Sequence, residues 1–166
     1  TFLSVFHDQV IDVAVAPDKD AERQFLPPAE TLTGKLLLAD RGYQSLDYWA
    51  AVQRAGGFFL MRGTTDLNPQ IRTGRGPRGA LPRVAGRRLQ DVLPTLPRRR
   101  LDLDVEWDRP GGETLRLRIV LIWVRPTRTY TVLVTNVRRS VLTARQVAAL
   151  YRLRWQIELV FKEWKS

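Results

Sequence analysis

A chain of 166 residues with 27 Lys and Arg against 17 Asp and Glu carries a net charge of +10 and a pI near 10.9, a balance that favours polyanionic partners and salt-dependent binding. Zero cysteines and a single histidine, His7, exclude disulfide frameworks and thiolate or multi-histidine zinc sites, and argue against a Ser-His-Asp relay. Hydrophobic content of 44% with five tryptophans suits a folded domain, while no apolar run reaches the roughly 18 residues of a membrane span and no signal peptide is visible, so a soluble intracellular protein is expected.

In chain order, residues Phe2 to Phe6 and Val10 to Ala16 read as an antiparallel hairpin around His7, Asp8 and Gln9. A polar segment broken by Pro27-Pro28 follows, with room for a short helix around Ala21 to Leu26. Lys35 to Ala39 is a compact apolar strand ending in Asp40, and Arg41-Gly42-Tyr43 turns the chain. Ser45 caps a predicted helix from Leu46 to Ala55, Gly56-Gly57 ends it, and Phe58 to Met61 reads as a buried strand.

From Gly63 to Pro97 the pattern dissolves into Gly, Pro and Arg, which predicts an extended, partly mobile insertion. Between Arg62 and Arg100 there are ten arginines, no lysine and two acids, so most of the excess charge sits here. An Arg-rich loop can be a solvated linker, but the guanidinium fork suits phosphate oxygens. Arg99 to Trp107, Thr114 to Val124 and Thr129 to Thr135 read as strands, joined by turns at Arg109-Pro110-Gly111-Gly112 and Arg125-Pro126-Thr127. Thr143 with Gln146 forms a capping-box signature that opens the final helix.

That helix carries Tyr151, Arg154, Glu158 and Lys165 at the spacing Y-x2-R-x3-E-x6-K. At about 100° per residue, with Tyr151 at zero, Arg154, Lys165, Glu158, Lys162 and Trp155 fall between about 300° and 40°. Leu150, Leu153, Ile157, Val160, Phe161 and Trp164 fall between about 180° and 280°, which predicts a buried apolar arc with the reactive stripe displayed beside it. Taken alone, the cations are also explained by i, i+4 pairing with Glu158 on a solvent face.

With Leu38-Ala39-Asp40-Arg41-Gly42-Tyr43 and the Thr135-Asn136 lead-in, this helix resembles the catalytic domain of DDE transposases of the insertion sequence 4 family. The resemblance implies an α/β fold: a ribonuclease-H-like mixed sheet with flanking helices and a β-strand insertion between the second Asp and the Glu. Here 118 positions separate Asp40 from Glu158, which leaves room for such an insertion. The expected division is 1–62 and 129–166 for the catalytic core and 63–128 for the Arg-rich inserted subdomain.

The resemblance further implies a DNA transposase that hydrolyses phosphodiester bonds at transposon ends and joins the 3′-hydroxyl to target DNA. Asp40 and Glu158 would be catalytic and metal-binding, holding two Mg²⁺ or Mn²⁺ ions, for which hard oxygen ligands are suited. Arg154, Lys162 and Lys165 would hold DNA phosphates and Tyr151 would add a hydroxyl hydrogen bond, while Trp155 would either stack on a displaced base or pack against the protein. Because two transposon ends must be brought together, a homodimer is implied, working in the cytoplasm at the bacterial nucleoid without a membrane.

The family's first Asp is expected on the strand before the hairpin. Asp8 sits in a predicted turn and Asp12 alternates within a strand, so neither occupies that place. A chain truncated at both ends, starting at Thr1 and stopping inside an unfinished helix, is expected to be inactive alone. Two other readings stay open: a ribonuclease-H-like nuclease without strand transfer, and a non-catalytic DNA-binding fragment.

Overall fold

The computed structural model describes residues 2–4, 12–15, 26–40 and 45–165, with side chains from 26 to 40 and from 45 to 154. Among the described residues, nine strands form one mixed sheet: β1 (Phe2–Ser4), β2 (Asp12–Val15), β3 (Lys35–Ala39), β4 (Phe58–Gly63), β5 (Gln70–Gly76), β6 (Gly79–Ala80), β7 (Leu101–Asp108), β8 (Thr114–Val124) and β9 (Thr129–Thr135). Their order across the sheet is β1-β2-β3-β4-β9-β8-β7-β5-β6. β2, β3 and β4 run parallel, and every other neighbouring pair is antiparallel. The predicted N-terminal hairpin is present as β1 against β2, whereas His7, Asp8, Arg41, Tyr43 and nearly all of the short helix expected before Pro27 fall outside the described residues.

Period-two alternation along each strand splits the core into two layers. Leu37 and Ala39 of β3, Phe59 and Met61 of β4, and Val132 and Val134 of β9 join one cluster, which also holds Trp49, Ala50 and Val52 of α1 (Leu46–Arg54). Leu36, Leu38, Leu60, Val120 and Leu133 point the other way, against Val147, Leu150 and Tyr151 of α3 (Ala144–Lys165). Trp49 anchors the first layer: its ring stacks on Phe59 at 5.5 Å and its indole N–H donates to the Met61 sulfur at 3.1 Å.

The stretch expected to be extended and partly mobile is instead folded into the sheet. Between Gly63 and Pro97 lie β5, β6, α2 (Leu89–Val92) and two 3-10 turns, with Ile71, Val84, Leu89, Val92 and Leu96 buried. Their hydrophobic side continues the layer that α1 covers, while nine of the ten arginines from Arg62 to Arg100 point to solvent.

α3 starts where the capping box predicts. The Thr143 hydroxyl accepts from the Gln146 backbone N–H at 3.2 Å, and the Gln146 side chain accepts in return from the Thr143 N–H at 2.8 Å. Thr143→Ala leaves the Gln146 N–H without its side-chain acceptor and is expected to lower stability by about 1 kcal/mol, read as a thermal midpoint roughly 2–4 °C lower.

Candidate active site

Strand alternation determines where Asp40 stands. Leu36 and Leu38 face α3, so Asp40, two residues further and just past the carboxyl end of β3, falls on that same side. Two residues of α3 meet it there. The Tyr151 hydroxyl donates to Asp40 Oδ1 at 3.3 Å, and Arg154 Nη2 lies 3.5 Å from Asp40 Oδ2. The Arg154 guanidinium also sits over the Tyr151 ring, 5.3 Å from its centroid.

This arrangement corrects the predicted phase of α3 at three positions, while Leu150 is buried as expected. Leu153, expected in the buried arc, is 42% exposed, whereas Tyr151 and Arg154, expected on the displayed stripe, are buried at 7% and 1% exposure. The physical reason is pairing: a phenol and a guanidinium can be taken out of water once a carboxylate and an aromatic face await them. At Tyr151 and Arg154, therefore, the stripe lies on the face that α3 lays on the sheet.

Arg62 is a site residue that the sequence did not single out. In the parallel pairing of β3 and β4, Ala39 lies opposite Met61, so Asp40 and Arg62 are the next positions in register and share the α3 side. The electrostatics of Tyr151 reflect this neighbour. Burial pushes its hydroxyl up to about 12; Arg154 opposes the rise, Asp40 adds to it and Arg62 opposes it. Tyr151 is thus a protonated hydrogen-bond donor throughout the physiological range.

The long contacts of Asp40 with Tyr151 and Arg154 differ in kind from the buried pair of Asp102 and Arg118. Arg118 grips Asp102 through two hydrogen bonds of 2.7 Å, the length of a committed bidentate pair, while the contacts to Asp40 measure 3.3 and 3.5 Å. Asp40 also keeps 27% of its side chain exposed. Its carboxylate is held by α3 while still partly exposed.

Glu158 occupies the helical position one turn beyond Arg154, and Trp155, Lys162 and Lys165 continue along the same helix; their side chains lie outside those described. Asp12, in β2, pairs in register with Lys35 at the start of β3, the opposite end of the strand from Asp40. Among the described residues, no three carboxylates or imidazoles cluster. Asn136 has a structural role: its side chain accepts from the Phe59 N–H and donates to the Gly57 carbonyl, both at 2.9 Å, tying the end of β9 to β4.

The end of the sheet that carries Asp40 is basic. β4 and β8 end there and β7 and β9 begin there, which brings exposed Arg98, Arg99, Arg100, Arg125 and Arg128 to the same end as Arg62. Arg98 lies over the half-buried Trp123 ring at 5.2 Å, and Arg128 adopts a left-handed φ of 53° in the β8–β9 turn.

A mixed sheet with helices on both faces, an aspartate at the end of a parallel strand and a Tyr-Arg helix laid against it define a ribonuclease-H-like DDE transposase fold. The chain belongs to the Transposase DDE domain family, whose model it matches over residues 2–166. It is also similar to the transposase for insertion sequence element IS1151 of Clostridium perfringens, with 58% identity over 33 residues. That match covers 20% of this chain and spans only 7% of the relative's length.

Proposed function

We propose that this chain is the catalytic portion of an insertion sequence 4 type transposase that cleaves phosphodiester bonds at transposon ends and transfers the 3′-hydroxyl into target DNA. The observation that carries this reading is the meeting of Asp40, Tyr151 and Arg154 at the carboxyl end of β3, on the helix that bears Glu158. DDE transposase domains generally use divalent metals, and the donors here suit one: a partly exposed carboxylate, in a chain without cysteine. Asp40 and Glu158 would hold Mg²⁺ or Mn²⁺, which when bound in pairs activates the attacking oxygen and stabilises the leaving one.

The chain's own residues have separate tasks. Asp40 and Glu158 supply negative charge at a site otherwise ringed by cations. Arg154, buried against Asp40, offsets that charge, Arg62 orients a phosphate beside it, and Tyr151 donates a hydrogen bond without losing its proton. Lys162, Lys165 and Trp155 extend the contact along α3. The arginines of 63–128 and the basic end of the sheet bind DNA backbone on either side, an interaction that weakens as salt rises. Two such domains, each holding one transposon end, would work as a homodimer.

Titrating Mn²⁺ into the chain, with bound metal followed by electron paramagnetic resonance, tests the reading. Binding that is saturable in the parent chain and lost in both Asp40→Asn and Glu158→Gln is expected. DNA binding that is tight yet indifferent to Mg²⁺, together with Mn²⁺ binding that neither variant changes, would instead make the chain a DNA-binding module without this chemistry.

A further inference from the structure

We propose that Asp102, Arg118 and Arg139 form a positioning unit that fixes α3 on the sheet and ties the inserted strands to it. The proposal rests on α3 being the catalytic helix. Arg118 of β8 and Asp102 of β7 point to the α3 side, where they are 4% and 6% exposed. Arg118 gives Nε and Nη2 to the two Asp102 oxygens at 2.7 Å each. Its remaining terminal nitrogen, Nη1, donates to the carbonyls of Val137 at 3.3 Å and Leu142 at 2.7 Å. The segment between β9 and α3 is therefore looped over a single guanidinium, with a carbonyl near each end attached to it.

Arg139, inside that loop, closes the unit from above. It donates to both Asp102 oxygens at 2.9 and 3.0 Å and reaches Asp104 at 3.3 Å. Asp104 in turn accepts from the Thr73 hydroxyl of β5, so the chain of contacts runs from the basic insertion through Arg139, Asp102 and Arg118 to Leu142, the residue before the helix cap. Val137 and Leu142 are buried in the layer under α3, which leaves the loop little freedom once Arg118 is engaged.

The leverage is geometric. Tyr151 and Arg154 lie eight and eleven residues past Thr143, so Arg154 is about 17 Å along the axis from the cap, and a tilt of about 10° there moves it roughly 3 Å. A site of this kind tolerates displacements of only about 0.5 Å. The anchor at the start of α3 thus sets the contacts with Asp40 far more strictly than the capping box can.

Hydrogen exchange on the chain tests this without requiring metal or activity. In Arg139→Gln, amides of α3 from 147 to 154 are expected to exchange faster by roughly tenfold or more, the scale of losing charge-assisted hydrogen bonds, while α1 amides from 49 to 54 keep their rates. Arg109→Gln, which breaks the ion pairs to Asp47 and Glu113 on the α1 side, serves as the control and should leave α3 unchanged. Mn²⁺ affinity should fall in Arg139→Gln and hold in Arg109→Gln. Equal acceleration of α1 and α3 in Arg139→Gln, unchanged α3 exchange, or equal loosening of α3 by Arg109→Gln overturns the positioning role. If the parent chain binds no Mn²⁺, the catalytic reading fails while the exchange data still decide this one.

Discussion

If Asp40 is the metal ligand proposed above, Asp40→Asn is expected to lower strand cleavage by at least roughly 10³-fold, about 4 kcal/mol of barrier. Asparagine keeps the shape of the side chain and can still accept the Tyr151 hydrogen bond, so the loss isolates charge. The fold should survive, because Arg154 retains the Tyr151 ring beneath it when its carboxylate partner is neutralised. Tyr151→Phe provides the comparison. It deletes one O–H donor at 3.3 Å, a contact expected to be worth within roughly tenfold. Gel-resolved cleavage of a transposon-end duplex, with each variant's folding checked by circular dichroism, separates the two. Comparable losses in both variants would mean that Asp40 acts by anchoring α3, not as a ligand.

The elements that were legible in the sequence are those whose signal is local. Lys35–Ala39, Thr114–Val124 and Thr129–Thr135 are apolar or alternating runs between strong turn signals, and each forms a strand with those limits. The capping box of Thr143 and Gln146 and the Ser45 cap are likewise written within four residues. β5 was invisible because its inward face is built partly of nothing. A Cβ on Gly74 would stand 2.6 Å from Val84 and 3.1 Å from Leu103, so this position packs by the absence of a side chain, and the register slips between Ile71 and Thr73.

The site was legible as a set of residue types and not as an arrangement. Asp40 stands out by its place at a strand end and by the family resemblance, and the Tyr-Arg pair by its spacing, yet hydropathy misplaces that pair because it counts arginine as a surface residue whatever awaits it. Arg62 depends on the register between β3 and β4, a tertiary fact with no local signature. The same holds for Arg118, which looks like one more arginine in a basic chain until Asp102, sixteen residues earlier, is placed beside it.

Asp102→Ala is expected to be the most destabilising single change among the charged residues described. Removing one partner of a buried, hydrogen-bonded pair costs about 3–5 kcal/mol, against the 5–15 kcal/mol typical of a whole domain, so the thermal midpoint should drop by roughly 10–15 °C. Asp47→Ala breaks an ion pair whose carboxylate is 89% exposed and should change stability by less than about 1 kcal/mol. The pH dependence has a definite sign. Burial alone would raise the Asp102 carboxyl, but hydrogen bonds from Arg118 and Arg139 and their charges outweigh it and hold the pKa below the usual carboxylate range. A carboxyl depressed on folding contributes stability that is complete above its unfolded value of about 3.9 and is lost as pH falls through the lower folded value. Denaturant melts of the parent chain should therefore weaken below about pH 4, and Asp102→Ala should flatten that acid limb. Replacing the pair by apolar residues, as in Asp102→Leu with Arg118→Met, often restores stability in other settings. Here it should recover only part of the loss, because the carbonyls of Val137 and Leu142 would lose the Arg118 donor and the guanidinium of Arg139 would lose its Asp102 contacts.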